Sequence, residues 1–532
     1  MKKIMLKTSV FAVFCLVIQS CTKKLDLSPT NDVTAETVYS TPDGYKQVLA
    51  KVYGSFALTG NIGPANPVSQ GGDVQGIDEG FSDFFRLFWK AQELSTDEAV
   101  ISWGDVGIQD FHNMNWTSNN SFLTGLYYRC LYQITLCNDF IRETADDKLS
   151  SRGISGADAD NIRQYGREAR FLRAFQYWVL MDLFGNPPFV TEASIIGGAP
   201  PPQASRTEIF NYIESELKAI EPDMPAPRTN EYGRADQGAV QALLARIYLN
   251  AQVYTGTGKY TEAITYSKKV IDGGYQLVSN YSWLMRADNN LNTSEFIFTI
   301  NYDGLRTQGY GGTTFLTHAC VGGDMPASSF GIGGGWSGTR TTKNLPDLFP
   351  NVTGTIDKRA QFFTTNQNLE IKDLTSFKDG LAVTKYKNIK RDNTNGQSQD
   401  FSDIDMPLFR LAEMYLIYAE AVLRAGTGGD AATAVDYINI MRTRAYGDAS
   451  GNISSGQLTL DFILDERARE LYWEGFRRTD LIRFDKFTEA TYLWPWKGGV
   501  SSGTGVSADR KIYPIPSRDI NSNLNLHQNP GY

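Results

Sequence analysis

The clearest helical pattern in this sequence lies near its end, in Asp465-Glu-Arg-Ala-Arg-Glu-Leu-Tyr-Trp-Glu-Gly-Phe-Arg-Arg-Thr-Asp-Leu-Ile-Arg-Phe484. At about 100° per residue, six apolar or small residues share one face of a helix: Leu464, Ala468, Leu471, Tyr472, Gly475 and Phe476. Charges of both signs share the opposite face: Glu466, Arg467, Glu470, Glu474, Arg477 and Arg478. Glu474 precedes Arg477 and Arg478 by three and four residues, the spacing at which ion pairs reinforce a helix. We expect a helix docked in a helical array, with its charges bound to neighbouring helices rather than forming a catalytic carboxylate pair.

Length and charge narrow the class of protein. The chain has 532 residues, well beyond the roughly 250 to 300 at which one hydrophobic core stops growing. We therefore expect two lobes or one elongated helical body with insertions. The formal net charge is −8 and no basic run offsets it, so the sequence predicts no binding to a nucleic-acid backbone, which requires clustered Lys and Arg.

Two pairs of helical segments repeat the same pattern. Gln241–Tyr248 precedes Tyr260–Tyr266, and Leu411–Ala419 precedes Ala432–Ile438, each pair joined by a turn that contains glycine. Small Ala and bulky Tyr or Leu alternate in these segments, as in tetratricopeptide units, and small residues let two helices approach closely. Such pairs bury their apolar faces only by stacking on neighbours. The sequence predicts a mainly α fold built as a tetratricopeptide-like helical array.

Further helices are predicted from about Pro42, over about Leu123–Glu143 and over about Ile162–Phe184. The last of these is apolar nearly all round after Phe171, so it should lie in the middle of the array. We expect its arginines to be structural partners of acidic helices rather than a ligand clamp: Arg167, Arg170 and Arg173.

The helical period is lost over residues 296–405, where Gly, Thr, Asn and aromatic residues dominate. We expect short strands at Phe296–Ile300 and Leu381–Tyr386. A loop-rich insertion of this length inside a globular body is usually functional. It carries five aromatic residues among glycines that allow a ligand to approach the backbone: Tyr302, Tyr310, Phe315, Phe330 and Trp336. Helical pairs are expected to resume over residues 406–486.

The N-terminus has the features of a secretory leader. Its start is cationic, and the apolar run Val10–Ile18 is too short to span a bilayer, so residues 1–20 are predicted to be a cleaved signal peptide. Cys21 follows a small residue, which resembles the bacterial lipobox, although Gln19 departs from its usual residues. Because of this resemblance we expect Cys21 to be acylated, and several acyl chains would anchor the protein stably. Residues 21–40 are expected to form a polar tether.

Residues with catalytic or metal-binding chemistry do not group together in the sequence. The three histidines are far apart, and no His or Cys spacing of a zinc site is present. The sequence around Ser501 matches the Gly-x-Ser-x-Gly pattern of a nucleophile elbow, but it lacks the strand before and the helix after the serine that this turn requires. Asp97 and Glu98 are adjacent, so their side chains diverge. We expect no cofactor, no metal and no enzymatic activity, and also no structural disulfide, with Cys130 and Cys137 as small buried residues.

Three sets of residues carry a resemblance to a known family. Glu466-Arg, Glu470-Leu, Glu474-Gly-x-Arg and Asp480-Leu-x-Arg follow one another, and the chain closes with Tyr513–Ile520 and then Asn525–Tyr532. Leu94–Glu98 and Arg167–Ala174 match further landmarks. This pattern resembles the SusD/RagB family of nutrient-binding outer-membrane lipoproteins, over nearly the whole mature chain. The resemblance implies an N-terminal region at 41–295 and a C-terminal region at 296–532.

The resemblance also implies a function. Family members are surface lipoproteins of a Bacteroidetes-type outer membrane and act as a lid and capture module over a SusC-like TonB-dependent transporter, most often for oligosaccharides. Their ligand site is built from the segment after the Leu-Ser-Thr-Asp-Glu landmark and from the central insertion, which here indicates Trp103, Asp105, Tyr310, Trp336 and Arg340. Two alternatives remain open: an oligopeptide-binding member of the same family, and an all-α glycoside hydrolase.

Overall fold

The computed structural model describes residues 34–61, 72–74, 77 and 81–532. Its α-helices are Ala35–Val38 (α1), Pro42–Gly54 (α2), Phe84–Glu93 (α3), Asp110–Asn113 (α4), Ser121–Glu143 (α5), Asp146–Ser151 (α6), Gly156–Phe184 (α7), Arg206–Ile220 (α8), Gln237–Leu249 (α9), Ala251–Thr255 (α10), Tyr260–Asp272 (α11), Gly312–Ala319 (α12), Leu411–Leu423 (α13), Ala431–Tyr446 (α14), Leu460–Leu471 (α15), Arg477–Arg483 (α16) and Ser517–Ser522 (α17). The predicted signal peptide, Cys21 and most of the predicted tether lie outside the described residues. The mainly α fold is confirmed.

Within the described ranges, six short strands accompany the helices: Val100–Ile101 (β1), Phe296–Ile300 (β2), Thr339–Arg340 (β3), Phe362–Phe363 (β4), Ala382–Val383 (β5) and Met406–Arg410 (β6). They pair as β1 with β3, β2 with β6 and β4 with β5, all antiparallel. The β2–β6 ladder runs from Phe296 opposite Arg410 to Ile300 opposite Met406. The strands at the start and end of the loop-rich insertion, β2 and β6, therefore lie side by side, and β6 continues directly into α13.

The predicted helix pairs are present and stack on each other. α9 packs against α11, α13 packs against α14, and α11 also packs against α13, so the two pairs form one continuous stack. Alanines at the contacts are fully buried, among them Ala245, Ala263 and Ala419, which lets the helix backbones approach closely. The rings of Tyr415 on α13 and Tyr437 on α14 stack at 4.6 Å. The tetratricopeptide-like pairing is confirmed.

Helix α7 occupies the centre of the N-terminal region. It packs against α5, α8 and α2, and its second half is buried from Phe171 to Phe184. Arg170 donates to both carboxylate oxygens of Glu216 on α8, at 3.0 and 2.8 Å, and Arg173 binds the same carboxylate at 2.8 Å. Both arginines therefore tie α7 to an acidic helix, as the sequence predicts.

The stretch Asp465–Phe484 is not one helix, which corrects the prediction from its periodicity. Helix α15 ends at Leu471 and α16 begins at Arg477. Between them, Trp473 has φ 64° and Gly475 has φ 87°. The buried carboxylate of Glu93 accepts the backbone N–H groups of Gly475 and Phe476 at 2.7 and 3.1 Å. These amides thus bind a side chain from α3, and a Cβ on Gly475 would lie 2.7 Å from the Phe88 ring.

The predicted pairing of Glu474 with Arg477 and Arg478 is also wrong, because the turn redirects its side chain. Glu474 binds Arg410 on β6 and Lys385, with contacts of 2.8 and 2.7 Å. The rest of the predicted charged face is buried as well, and Glu470 and Glu466 bind arginines from outside α15. The prediction that these charges bind neighbouring elements is therefore confirmed, with different partners for Glu474.

Two further boundaries differ from the sequence prediction. The strand expected over Leu381–Tyr386 is reduced to Ala382–Val383. Beyond Thr384, whose backbone N–H binds the Gln361 carbonyl, the backbone leaves this ladder, and the N–H of Lys387 binds the Met285 carbonyl instead. The last residues of the predicted tether form α1, capped by the Thr34 side chain. Among the described residues, Cys130, Cys137 and Cys320 are buried and free. No helix in this part of the chain has the length and apolarity needed to cross a membrane.

Candidate functional site

A two-residue ladder joins the segment after Leu94–Glu98 to the central insertion. Val100 pairs with Arg340 and Ile101 pairs with Thr339. The ladder continues as a hydrogen bond of 2.9 Å from Ser102 N to the carbonyl of Gly338. The residue that follows, Trp103, is therefore placed against the Gly-rich segment that contains Trp336.

Trp103 lies directly on the insertion backbone. Its Nε1–H donates to the carbonyl of Trp336 at 3.1 Å. A Cβ added to Gly338 would lie 2.6 Å from Cε2 of the Trp103 indole, so only glycine leaves room for the ring at this position. The Arg86 guanidinium lies 5.7 Å from the centre of the Trp103 ring. The indole is half-buried, and its position is fixed by these contacts.

Trp103, Tyr310, Trp336 and Phe401 form a continuous group of half-buried rings, which we call the aromatic surface. The ring centroids are 6.3 Å apart for Trp103 and Trp336, 6.2 Å for Tyr310 and Trp336, and 5.7 Å for Tyr310 and Phe401. These separations lie within the range of direct aromatic contact. Three of the five residues predicted from the sequence are thus brought together.

Trp336 packs on His318, near the end of helix α12. The Trp336 ring stacks on the His318 ring with centroids 4.8 Å apart, and Trp336 N donates to the His318 carbonyl at 2.8 Å. Burial lowers the pKa of His318, so the ring is neutral at pH 7. Its Nδ1 lies 2.7 Å from the carbonyl of Gly334 and carries the proton of that hydrogen bond. The glycines beside Trp336, Gly333 to Gly335, are exposed.

Asp105 and Arg340 take different positions around the aromatic surface. Asp105 is exposed two residues after Trp103, beside Val106, which is 91% exposed, and its carboxylate has no hydrogen-bond partner among the described residues. Arg340 is fully buried. Its side chain donates to backbone carbonyls, and burial lowers its pKa to about 10, so it stays charged at pH 7. Asp105 can therefore contact a ligand directly, whereas Arg340 lies beneath the surface and holds loops.

The sequence pattern does not indicate a role for Phe401 in the aromatic surface. Phe401 belongs to the last residues of the insertion, Gln399-Asp-Phe-Ser-Asp403, where it is the one apolar side chain among polar ones. An isolated aromatic residue in a polar stretch is a weak signal, since such rings also pack as satellite cores. Only the contact with Tyr310 identifies Phe401 as part of the aromatic surface.

We expect Gly338→Ala to disturb the aromatic surface. The new methyl group would overlap the Trp103 indole, and overpacking of this kind costs about 1 to 3 kcal/mol. The free energy of unfolding should fall by this amount, and the near-ultraviolet circular dichroism of the tryptophans should change. Gly334→Ala is the matched control, because a Cβ there meets nothing within 4 Å. Equal effects of the two substitutions would contradict the contact between Gly338 and Trp103.

The carboxylates considered as an acid and base pair are buried rather than placed in a cleft. Asp97 accepts Arg477 Nε and Nη2, both at 2.7 Å, and the Tyr492 hydroxyl at 2.6 Å. Burial raises the pKa of Glu98 to about 8, although the Arg477 charge acts in the opposite direction. Burial, and next the Glu98 charge, raise the pKa of Glu93 well above its ordinary value. This group stabilises the turn between α15 and α16.

The raised pKa of Glu98 predicts a pH dependence of stability. Its folded-state pKa of about 8 exceeds the unfolded value of about 4.3, so the folded protein keeps a proton that the unfolded chain has lost. Stability should therefore be greatest below the unfolded pKa and should fall as the pH rises toward 8, by up to about 1.4 kcal/mol per pH unit for one proton. Urea denaturation between pH 6 and 8 measures this slope.

Glu98→Gln tests the same prediction, because the amide does not titrate and its oxygen can still accept the hydrogen bond that the Glu93 carboxyl donates to Glu98. The slope between pH 6 and 8 should become flatter in this variant, while Glu370→Gln, at an exposed ion pair, should leave it unchanged. An unchanged slope in Glu98→Gln would assign the pH dependence to other groups.

A cavity of about 300 Å³ lies elsewhere, between α2 and residues 231–234. Its walls are mainly apolar and include Leu49, Phe56 and Phe298. Sugar hydroxyls require hydrogen-bond partners, so this cavity suits a sugar less well than the aromatic surface does. Among the described residues, no group of three or more His, Cys, Asp or Glu is arranged to hold a metal ion.

Fold and surface together define a class: a tetratricopeptide-like helical array that carries a loop-rich insertion with a half-exposed aromatic surface. Residues 359–532 match the family model of the SusD family. The Starch-binding protein SusD of Bacteroides thetaiotaomicron is 35% identical, with 100% of this chain and 99% of that protein covered. The chain therefore belongs to the SusD family, and the resemblance found in the sequence is confirmed.

Other proteins are similar to this chain in sequence or in fold. SusD-like protein P38 of Formosa agariphila is 24% identical, covering 97% of this chain and 96% of that protein. Surface glycan-binding protein A from Bacteroides thetaiotaomicron, solved in complex with laminarihexaose, has a TM-score of 0.70 at 21% identity and covers 92% of this chain and 99% of that one. A SusD homolog from the same organism has a TM-score of 0.72 at 19% identity, covering 94% and 99%. At these identities the structural likeness concerns the fold alone.

Proposed function

We propose that this protein binds glycans on the aromatic surface and delivers them to a TonB-dependent outer-membrane transporter. The observation that carries the proposal is the group of four contacting, half-exposed rings beside exposed glycines and the free carboxylate of Asp105. Sugar rings stack their C–H faces on aromatic rings, and a few polar groups bind the hydroxyls and fix orientation. The ligand-binding residues are proposed to be Trp103, Tyr310, Trp336 and Asp105, with Arg340 as a support.

The names of relatives support the same chemistry. A family member with 35% identity over the whole chain is named a starch-binding protein, and a structure with the same fold holds laminarihexaose. Neutral glucans are therefore the first ligands to test. The proposal involves no bond cleavage, since Asp97 and Glu98 are buried and bound within the protein.

Delivery and localisation are proposed on other grounds. The leader and Cys21 favour a lipid-anchored protein on the outer membrane, where several acyl chains hold it stably. The family resemblance favours a SusC-like transporter as partner. Co-purification of a tagged full-length chain, solubilised from its own membrane, tests both points. We expect a transporter barrel to co-purify with the native chain and to be lost from the membrane-released Cys21→Ala variant.

Isothermal titration calorimetry against malto-oligosaccharides, laminari-oligosaccharides and a peptide library tests the binding proposal. We expect a neutral glycan to bind and Trp336→Ala to weaken it at least tenfold, equivalent to about 1.4 kcal/mol. Trp283→Ala is the control, because Trp283 is another half-buried tryptophan that packs against Arg391 outside the aromatic surface.

Other outcomes would overturn the proposal in favour of a named alternative. Binding of peptides with no response to any glycan would assign the surface to oligopeptides. Release of reducing sugar by the purified protein, abolished by substitution of one carboxylate, would make the protein a glycoside hydrolase.

A further inference from the structure

A second cavity, of about 250 Å³, lies between residues 282–286 and the loop-rich insertion, and none of its lining residues belongs to the aromatic surface. Four cationic side chains line it: Arg286, Lys358, Lys385 and Lys387. No Asp or Glu lines it within the described part of the chain. This concentration of positive charge is notable in a protein with a formal net charge of −8. We call it the basic cavity.

The four cations differ in how their charge is balanced. Lys385 is satisfied, since its Nζ donates to Glu474 and to the Tyr472 carbonyl, both at 2.7 Å. Lys358 is exposed and lies at the C-terminal end of α14, where its Nζ would be 2.5 Å from a Cβ on Gly447. Lys385 is therefore held by the fold itself, and Lys358 lies at the rim of the cavity.

Arg286 and Lys387 are not balanced in this way. They face each other in a parallel β-bridge, which places two positive charges side by side, a destabilising arrangement in a sheet. Neither side chain has a hydrogen-bond or ion-pair partner among the described residues. Asp288 acts on Arg286 at a distance, but its carboxylate accepts the backbone N–H of Arg391 at 3.2 Å. Lys387 Nζ lies 5.1 Å from the centroid of the Phe330 ring. The fold therefore holds, at one cavity, two cations that have no acidic partner among the described residues.

The electrostatic effect of this arrangement is visible on both groups. Burial lowers the pKa of Arg286. Burial, followed by the charge of Arg286, lowers the pKa of Lys387. The charged form of each side chain is therefore disfavoured by its surroundings, and an anion between the two would stabilise both charges at once.

We propose that the basic cavity is a binding site for a small ligand with an oxyanion group, held by Arg286 and Lys387 with Lys358 at the rim. An arginine guanidinium matches the planar or tetrahedral oxygens of carboxylate and sulfate. Thr353 and Thr384 also line the cavity and supply hydroxyl groups. The volume is slightly below the roughly 300 to 1,000 Å³ of sites for drug-sized ligands, so it suits a free anion or one acidic sugar residue.

Calorimetry with sodium sulfate, sodium glucuronate and glucose, at constant ionic strength in chloride, tests the proposal. We expect sulfate or glucuronate, and not glucose, to bind the wild-type protein with saturation. The double variant Arg286→Gln/Lys387→Gln should bind at least tenfold more weakly. The control variant Arg306→Gln/Lys343→Gln removes the same charge from two cations that already pair with acids and should bind as the wild type does. If glucuronate binds and sulfate does not, the ligand is an acidic sugar residue. If sulfate binds as well, the site also accepts free anions.

Thermal unfolding in chloride gives an independent readout. Because Arg286 and Lys387 repel each other, the double variant should be at least as stable as the wild type, whereas cations with a structural role would leave it less stable. Sulfate also stabilises proteins in general by exclusion from their surface, and this effect is shared by all three proteins. The proposal is overturned if neither anion binds with saturation, if the double variant binds as well as the wild type, or if it is destabilised in chloride. Neutral glycan binding at the aromatic surface is measured separately and does not depend on this result.

Discussion

We expect Glu470→Gln to lower the free energy of unfolding by about 3 to 5 kcal/mol, as happens when one member of a buried ion group is removed. Glu470 is fully buried and binds three arginines from other elements. Arg410 lies at 2.6 Å, Arg359 at 3.2 Å, and Arg444 is also bound. Although burial acts to raise it, these arginines hold the pKa of Glu470 well below its ordinary value. A glutamine would leave their charges uncompensated, at a cost comparable to a large part of the roughly 5 to 15 kcal/mol of a typical fold.

The midpoint of urea denaturation at pH 7 measures this loss. Glu370→Gln is the control, since its pair with Lys343 is exposed on both sides and surface pairs contribute about 0 to 1 kcal/mol. A loss of less than about 1 kcal/mol for Glu470→Gln would mean that the helical array does not depend on this group of charges.

We expect the second large effect from Arg340→Met, which should lower the free energy of unfolding by about 3 kcal/mol or more. The guanidinium donates to the carbonyls of Asp379 and Gly338 at 2.9 and 3.1 Å, and to those of Leu374 and Ser376, both at 2.8 Å. The carbonyls of Gly338 and Ser376 would keep the N–H groups of Ser102 and Asp379 as donors, whereas those of Asp379 and Leu374 would have no donor left among the described residues. An acceptor left without a donor costs about 1 to 3 kcal/mol when it is buried. Methionine keeps the apolar packing of the side chain and removes every donor, so the loss of stability isolates these hydrogen bonds.

Chemical denaturation together with calorimetry separates this role from ligand contact. Arg306→Met should change stability little, because Arg306 is exposed and its acidic partner among the described residues is Asp303 alone. If Arg340→Met kept its stability and lost glycan affinity, Arg340 would be a ligand contact after all. A loss of stability that accounts for any loss of affinity agrees with its buried position.

Local sequence patterns predicted the helical array well because its determinants are local. The alternation of Ala with Tyr or Leu in Leu411–Ala419 and its counterparts is sufficient to define which faces meet. The same reasoning failed at Trp473 and Gly475, where Glu93, distant in sequence, binds the amides that a continuous helix would have used. A helical period in the sequence cannot show that a distant side chain will bind these backbone amides.

The aromatic surface was predicted only in part for a similar reason. The contact between Trp103 and Trp336 depends on a ladder of two residue pairs between β1 and β3, which is too short to leave a pattern in the sequence. Arg340 was placed among the ligand contacts because an arginine beside glycines has no local sign of burial, and its acceptors lie in residues 374–379. Phe401 was missed because its partner ring, Tyr310, is distant in the chain.

A crystal structure with the oligosaccharide that calorimetry selects tests most directly whether a glycan lies on the aromatic surface. We predict sugar rings with their C–H faces within about 4 Å of Trp103 and Trp336 and a hydroxyl bound to Asp105. A sugar bound elsewhere on the protein, with these rings left free, would contradict the account.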